Sequence, residues 1–239
     1  MNGHDAFGLA ACEIHAWSFA LDLPDAVGRR LAALLSADEQ ARAAAFHFAH
    51  DRAHFSAARG RLRELLAGYL GTAPAALRFE TGTHGKPRLA ADFAAADIRF
   101  NLSHSHGQGL VAVTRGVEVG VDLEQMRADV DAAGIVASHF SPAERAAWAA
   151  LPEAQRHEAF FHGWVRKEAY VKARGEGLSH DSAAYTVELE PAARGALLAD
   201  ALSADAARAW RVEKLAAPAG FAAAIAYASP EKSVRLRSG

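Results

Sequence analysis

Apolar and polar positions alternate strictly along VEVGVDLE: Val117, Val119, Val121 and Leu123 point one way, and Glu118, Gly120, Asp122 and Glu124 the other. A period of two is that of a strand. The segment therefore predicts a strand with its apolar side on the core and Asp122 beside Glu124 on a wet side. ACEIHAWSF (residues 11–19) and residues 77–80, 100–103 and 110–114 read as further strands. Arg115-Gly116 reads as the tight turn into the carboxylate strand. In the second half AYTVELE (184–190), AWRVEKL (209–215) and GFAAAIAYA (220–228) read as strands, and the polar residues beyond Pro230 as a loose tail.

Helices announce themselves by their ends. Ser36-Ala37-Asp38-Glu39 is a capping box that starts a helix running toward Phe48. A second helix runs from about Arg52 to Tyr69, with Phe55, Leu62, Leu66 and Tyr69 on its apolar face and Arg52, Ser56, Arg59 and Arg63 on a neighbouring stripe. The turn-rich TGTHGKP (81–87) follows. Ser141-Pro142-Ala143-Glu144 is another capping box, with proline at the first helical position. A helix led by Trp164 should stop at Gly175, a residue suited to the left-handed C-terminal cap.

Composition narrows the class. The chain has 239 residues, of which 51% are hydrophobic, enough to bury a core in one compact unit or two small packed ones. A net charge of −2 lacks the basic excess of a general nucleic-acid binder, so any phosphate binding must be local. One cysteine, Cys12, excludes an intramolecular disulfide framework and suits a reducing compartment. The opening MNGHDAFGLAACEIHAW lacks a basic segment followed by a long apolar run, and no stretch approaches the roughly 20 apolar residues of a membrane span. These features lead us to expect a cytoplasmic monomer with no membrane or nucleic-acid partner.

The chemistry is carried by two segments. Asp122 and Glu124, two residues apart on one strand face, could share a hard cation. In FFHGWVRKEAYVKARGEGL (160–178), Trp164, Glu168 and Lys172 follow one another at four-residue spacing, so a third carboxylate and an ammonium leave the helix on the same side. Three carboxylates and a lysine suit a magnesium-bound pyrophosphate. Each segment has an ordinary reading beside this one. Carboxylates often line the wet side of a strand, and a Glu-to-Lys pair four apart on a helix surface is worth only about 0.3 to 0.5 kcal/mol.

Together the two segments resemble the hallmark of the Sfp-type 4′-phosphopantetheinyl transferases, a G-x-D-x-E strand and a later W-x-x-K-E-x-x-x-K helix, here Gly120 to Glu124 and Trp164 to Lys172. Further family landmarks occur in order: Asp51, Arg52, Phe55 and Arg59 as D-R-x-x-F-x-x-x-R, Gly85-Lys86-Pro87, Asn101 to Ser105 as N-L-S-H-S, and Gly220 to Ala224 as G-F-x-A-A. The resemblance implies an α+β fold of two similar lobes related by a pseudo-twofold, with the active site between them. It also implies transfer of the phosphopantetheine arm of coenzyme A to a serine of an apo acyl or peptidyl carrier protein, releasing adenosine 3′,5′-bisphosphate. We divide the chain into lobes at residues 1–115 and 116–230, with 231–239 as the tail.

By the same resemblance Asp122, Glu124 and Glu168 hold magnesium on the pyrophosphate, and Lys172, with Lys167, stabilises the departing bisphosphate. His104 contacts the pyrophosphate, and Lys86, Ser103 and Ser56 contact coenzyme A. Arg52 and Arg59 bind phosphate, whereas Arg63 is left as the rim of its helix. Some relatives carry two lysines early in the first long helix, where this chain has Glu39 and Arg42. Glu39 is explained by its capping box, which moves the 3′-phosphate contact to Arg42 with Arg52. Glu168 is the expected general base, with Glu144 as the alternative. His104-Ser105-His106 lacks the cysteines or third ligand of a zinc site, and His47, His50 and His54 read as ordinary helix-face histidines. Two other classes stay open from sequence, a non-catalytic carrier-protein or nucleotide-binding module and a magnesium-dependent phosphohydrolase. Neither would add the mass of the arm to a carrier protein.

Overall fold

The computed structural model describes residues 7–82, 85–175, 181–201, 203, 205–229 and 231–239. Residues 1–6 of the opening segment, Thr83 and His84 of the turn, residues 176–178 of the Trp164 segment and Pro230 lie outside the described residues. The first half contains β1 (Glu13–Ala20), α1 (Asp25–Ala32), α2 (Ala37–Ala44), α3 (Ala49–Leu70), β2 (Phe79–Thr81), β3 (Pro87–Leu89), β4 (Ile98–Ser105) and β5 (Gln108–Arg115). The second contains β6 (Val119–Gln125), α4 (Ala132–His139), α5 (Pro142–Ala150), α6 (Glu153–Arg174), β7 (Tyr185–Val187), β8 (Leu197–Asp200), α7 (Ala206–Ala209), β9 (Arg211–Lys214), β10 (Phe221–Tyr227) and β11 (Ser233–Ser238).

The fold is α+β, and alternation along the strands explains its layers. In the sheet ordered β11-β1-β5-β4, Trp17, Phe19, Val111 and Val113 pack with Leu62 and Leu66 of α3. The alternate residues Ile14, Ala16, Leu110 and Ala112 face the other way. There they meet Val119, Val121 and Leu123 of the sheet ordered β6-β10-β9. The second sheet turns Ala222, Ala224 and Ala226 toward Phe161, Val165 and Ala169 of α6. The order is thus helix, sheet, sheet, helix, with both sheets covered on both faces.

Three expectations change. Residues 37–48 do not form one helix: α2 ends at Ala44 and α3 begins at Ala49, because Phe46 folds back onto Phe55 with ring centroids 5.3 Å apart. The polar side of β6 is not wet, since α6 lies on it and leaves Asp122 only 2% exposed. Residues 231–239 are not a loose tail. Ser233–Ser238 runs parallel to β1 in register from Glu13↔Ser233 to Ser18↔Ser238, and so completes the sheet of the first half. Lys232 Nζ donates to the Arg115 carbonyl at 2.9 Å, and Arg235 pairs with Glu13 at 2.5 Å. The alternation of Val234 and Leu236 with polar neighbours was its signal in the sequence.

Two helix-end signals of the second half read correctly. Ser141 and Glu144 exchange the two bonds of a capping box, Glu144 N to Ser141 Oγ at 3.2 Å and Ser141 N to Glu144 Oε2 at 2.7 Å. Gly175 ends α6 at φ +70°, the left-handed cap expected of it.

Candidate active site

The site is built where α6 crosses β6, and a glycine permits the crossing. A Cβ placed on Gly120 would lie 2.2 Å from the Ala169 carbonyl oxygen and 2.3 Å from the Ala173 nitrogen. Only a residue without a side chain lets the helix backbone rest on the strand there. Because side chains four apart share a helix face, this contact brings Trp164, Glu168 and Lys172 together on one cleft of about 700 Å³. Lys86, Asn101 and His139 line it as well.

Lys172 does not pair with its helix neighbour. Its Nζ donates to Asp122 Oδ1 at 2.5 Å and to Ser103 Oγ at 3.2 Å, while Ser103 Oγ donates to the same Oδ1 at 3.0 Å. Burial works against the ammonium, yet Asp122, with Glu168 and Glu124, holds its pKa above the ordinary lysine value. Asp122 Oδ2 is buried and has no partner. Ser105 Oγ donates to Glu124 Oε2 at 2.9 Å. Desolvation raises the pKa of Glu124, and the Asp122 charge raises it further. Glu168 is raised by desolvation and then by Asp122 and Glu124, against the pull of Lys172.

Three carboxylates thus feel one another's charge, and one buried oxygen lacks a partner. Among the described residues no group of three or more Asp, Glu, His or Cys side chains is placed to hold a metal ion by itself. Magnesium needs none, because it binds through one or two carboxylates and fills its remaining positions with water and substrate phosphate oxygens. Carboxylate oxygens are the donors that ion takes, and the unpartnered Oδ2 of Asp122 is one open to it.

The other expected residues separate into groups. Arg52 and Ser56 line a second cavity of about 520 Å³ with Asp22, Arg29, His50 and His54. Arg42 stands over the Phe55 ring, 5.4 Å from its centroid. His104 is exposed on β4, and its pKa is lowered by desolvation and then by Lys172, His54 and Arg42.

Three residues expected on ligand are committed to other groups of the protein. Lys167 is 1% exposed, on another side of α6 from Glu168, and its Nζ donates to Glu144 Oε1 at 2.9 Å, Glu144 Oε2 at 2.7 Å and the Tyr185 carbonyl at 2.9 Å. That geometry also removes Glu144 as a base, since it is 1% exposed and further bonded to the Val187 amide. Arg59 gives both Nε and Nη2 to Glu39 Oε1, at 3.0 and 2.6 Å, while Arg63 donates to Oε2 of the same buried carboxylate at 2.6 Å. Glu39 is thus the anchor of two arginines as well as a cap. Lys86 lines the cleft, but its ammonium is already donating to Glu118 at 2.7 Å, Val119 O at 3.1 Å and Ala173 O at 3.0 Å. An ammonium has three hydrogens, so that donor capacity is spent.

Sequence reasoning passed over Asn101 and Ser105 as individual residues. Asn101 Oδ1 accepts from the Val121 amide at 2.8 Å and ties β4 to β6. The spacing Asn101, Ser103, Ser105, three short polar residues on one strand face, was the available signal. Gly120 was visible as part of the motif, but its contact with α6 was not.

Comparison with known proteins identifies the family. Residues 118–226 match the family model described as 4′-phosphopantetheinyl transferase superfamily, and residues 27–115 match the one described as 4′-phosphopantetheinyl transferase, N-terminal. The 4′-phosphopantetheinyl transferase HetI of Nostoc sp. is 42% identical over 171 residues, covering 72% of each chain. A 4′-phosphopantetheinyl transferase of Bacillus subtilis is 30% identical over 173 residues, covering 71% of this chain and 74% of that one. Among the described residues no helix is long and apolar enough to cross a membrane.

Proposed function

The chain belongs to the 4′-phosphopantetheinyl transferase superfamily and is an enzyme of that kind, and from that premise we propose that it transfers the arm of coenzyme A to a serine of an apo acyl or peptidyl carrier protein. The observation that carries this reading is that Lys172, which shares one cleft with Glu168, is paired with the buried Asp122, a set that neither a binding module nor the core requires. The serine oxygen bonds to the phosphorus that bears the pantetheine arm. The pyrophosphate P–O bond on the nucleotide side breaks, and adenosine 3′,5′-bisphosphate leaves with the electron pair.

Glu168 takes the serine proton, directly or through a water, and its raised pKa brings a carboxylate nearer the basicity that work requires. Lys172 stays charged at neutral pH and offsets negative charge on the leaving oxygen. Its bonds to Asp122 and Ser103 fix the ammonium before substrate arrives. Asp122, Glu124 and Glu168 would hold magnesium, which when bound neutralises pyrophosphate oxygens as they gain charge. Arg52, Ser56 and Arg42 hold the nucleotide end, and His104 contacts the pyrophosphate.

Intact-mass measurement of a panel of apo carrier proteins after incubation with coenzyme A and magnesium tests the reading. Gain of the arm's mass by a carrier protein supports it. Hydrolysis of coenzyme A without any gain would replace it with the phosphohydrolase reading.

A further inference from the structure

β4 and β6 lie side by side but belong to different sheets, so no backbone ladder joins them. Three alternate side chains of β4 take its place. Asn101 Oδ1 accepts from Val121 N at 2.8 Å, Ser103 Oγ donates to Asp122 Oδ1 at 3.0 Å, and Ser105 Oγ donates to Glu124 Oε2 at 2.9 Å. Ser105 Oγ also accepts from Gln125 N at 3.3 Å and lies 3.1 Å from His106 Nδ1, which as the protonated tautomer donates to it and leaves the hydroxyl hydrogen for Glu124. The two serines do the same thing to the two carboxylates. Each occupies one oxygen and leaves the second open: Asp122 Oδ2 has no partner, and among the described residues no hydrogen bond reaches Glu124 Oε1.

Glu124 has more need of such a hold than Asp122. It stands near the end of β6, is only partly buried, and has one more rotatable bond than an aspartate. A glutamate without an anchor there must give up rotamer freedom each time it binds a cation. A ligating carboxylate that is itself hydrogen-bonded has lost that freedom already.

We propose that Ser105 is a positioning residue that holds Glu124 Oε2 and so presents Oε1 of the same carboxylate to the divalent cation of the active site. The inference rests on the reading of Glu124 as a metal ligand. Ser105 is assigned no contact with the reacting atoms, and its proposed effect on the cation passes through Glu124.

The test uses Mn²⁺ as the probe. Free Mn²⁺ is followed by electron paramagnetic resonance in titrations of the full chain with coenzyme A present and carrier protein absent, alongside melting without metal. Ser105→Val and Ser105→Thr have nearly the same shape and differ in the hydroxyl, so they form the decisive pair, with Ser105→Ala and Glu124→Gln beside them. Ser105→Val and Ser105→Ala are expected to weaken Mn²⁺ binding about tenfold or more, and Ser105→Thr to retain it. Equal Mn²⁺ affinity in the Val and Thr variants, with Glu124→Gln weakened, overturns the role of Ser105 and leaves the metal reading standing. Unchanged affinity in Glu124→Gln overturns both. A fall in melting temperature with unaltered Mn²⁺ affinity would assign Ser105 to the seam between the sheets alone.

Discussion

Lys172 is bonded to Asp122, 2.5 Å away across the strand–helix contact, rather than to Glu168 one turn back on its own helix. The pair is not a surface ion pair, because Asp122 is 2% exposed and the Lys172 side chain only 32%. It couples folding to the site in a way the sequence did not suggest.

Replacing Asp122 should therefore affect both stability and turnover. Asp122→Ala removes the partner of a partly buried ammonium and of Ser103, and we expect a cost on the order of 2 kcal/mol, below the roughly 3 to 5 kcal/mol of a fully buried pair. Asp122→Asn keeps the shape and should melt closer to wild type while losing most transfer. Chemical denaturation and kcat on the same preparations decide it. Near wild-type kcat in Asp122→Asn would falsify the assignment of this carboxylate to the site.

Gly120→Ala asks whether the helix must rest on the strand. The added carbon would sit 2.2 Å from the Ala169 carbonyl, and backbone on both sides cannot yield cheaply. We expect a loss of about 1 to 3 kcal/mol, and a further fall in kcat as Glu168 and Lys172 move from Asp122. Wild-type melting together with wild-type kcat would show that the contact has slack.

Arg52 and Arg59 lie on the same helix but should respond differently. Arg52→Ala, and Arg42→Ala with it, should reduce discrimination between coenzyme A and 3′-dephospho-coenzyme A, by about tenfold or more if a charge-assisted contact of about 1.5 to 3 kcal/mol is lost. Arg59→Ala should lower the melting temperature and leave that ratio alone, because its guanidinium is committed to Glu39. The ratio of kcat/KM for the two substrates is the measurement, and the reverse pattern would exchange the roles.

His162 gives a pH dependence of known sign. It is 3% exposed with its Nδ1 unpartnered, and burial, then Lys214 and Arg166, bring its pKa down from 6.5 to about 4. Between those values the unfolded chain binds more protons than the folded one, so stability falls as pH is lowered through this window. The slope is at most about 1.4 kcal/mol per pH unit, or about 3 kcal/mol across the window. Denaturation of wild type and His162→Gln at a series of pH values should show a flatter acid slope in the variant. Parallel slopes would mean that another group controls the acid limb.

Much of the site was legible because its chemistry is local. Period two placed Asp122 and Glu124 on one side of a strand, and period four placed Trp164, Glu168 and Lys172 on one side of a helix, since both follow from backbone geometry alone. The capping box at Ser141 and the cap at Gly175 were readable for the same reason.

Partners were not legible, because a charged side chain chooses among neighbours that only packing supplies. The sequence presented Arg59 and Arg63 as one stripe, and the fold gave both to Glu39. It presented Lys167 and Lys172 as two cations of one motif, and the fold buried the first against Glu144 and set the second on Asp122. It ended in polar residues that read as a tail, which became a strand because β1, at the other end of the chain, had an open edge to pair. Local periodicity determined which side chains share a face, and tertiary packing, through burial and the need of each buried charge for a partner, decided which of them remain free to meet a substrate.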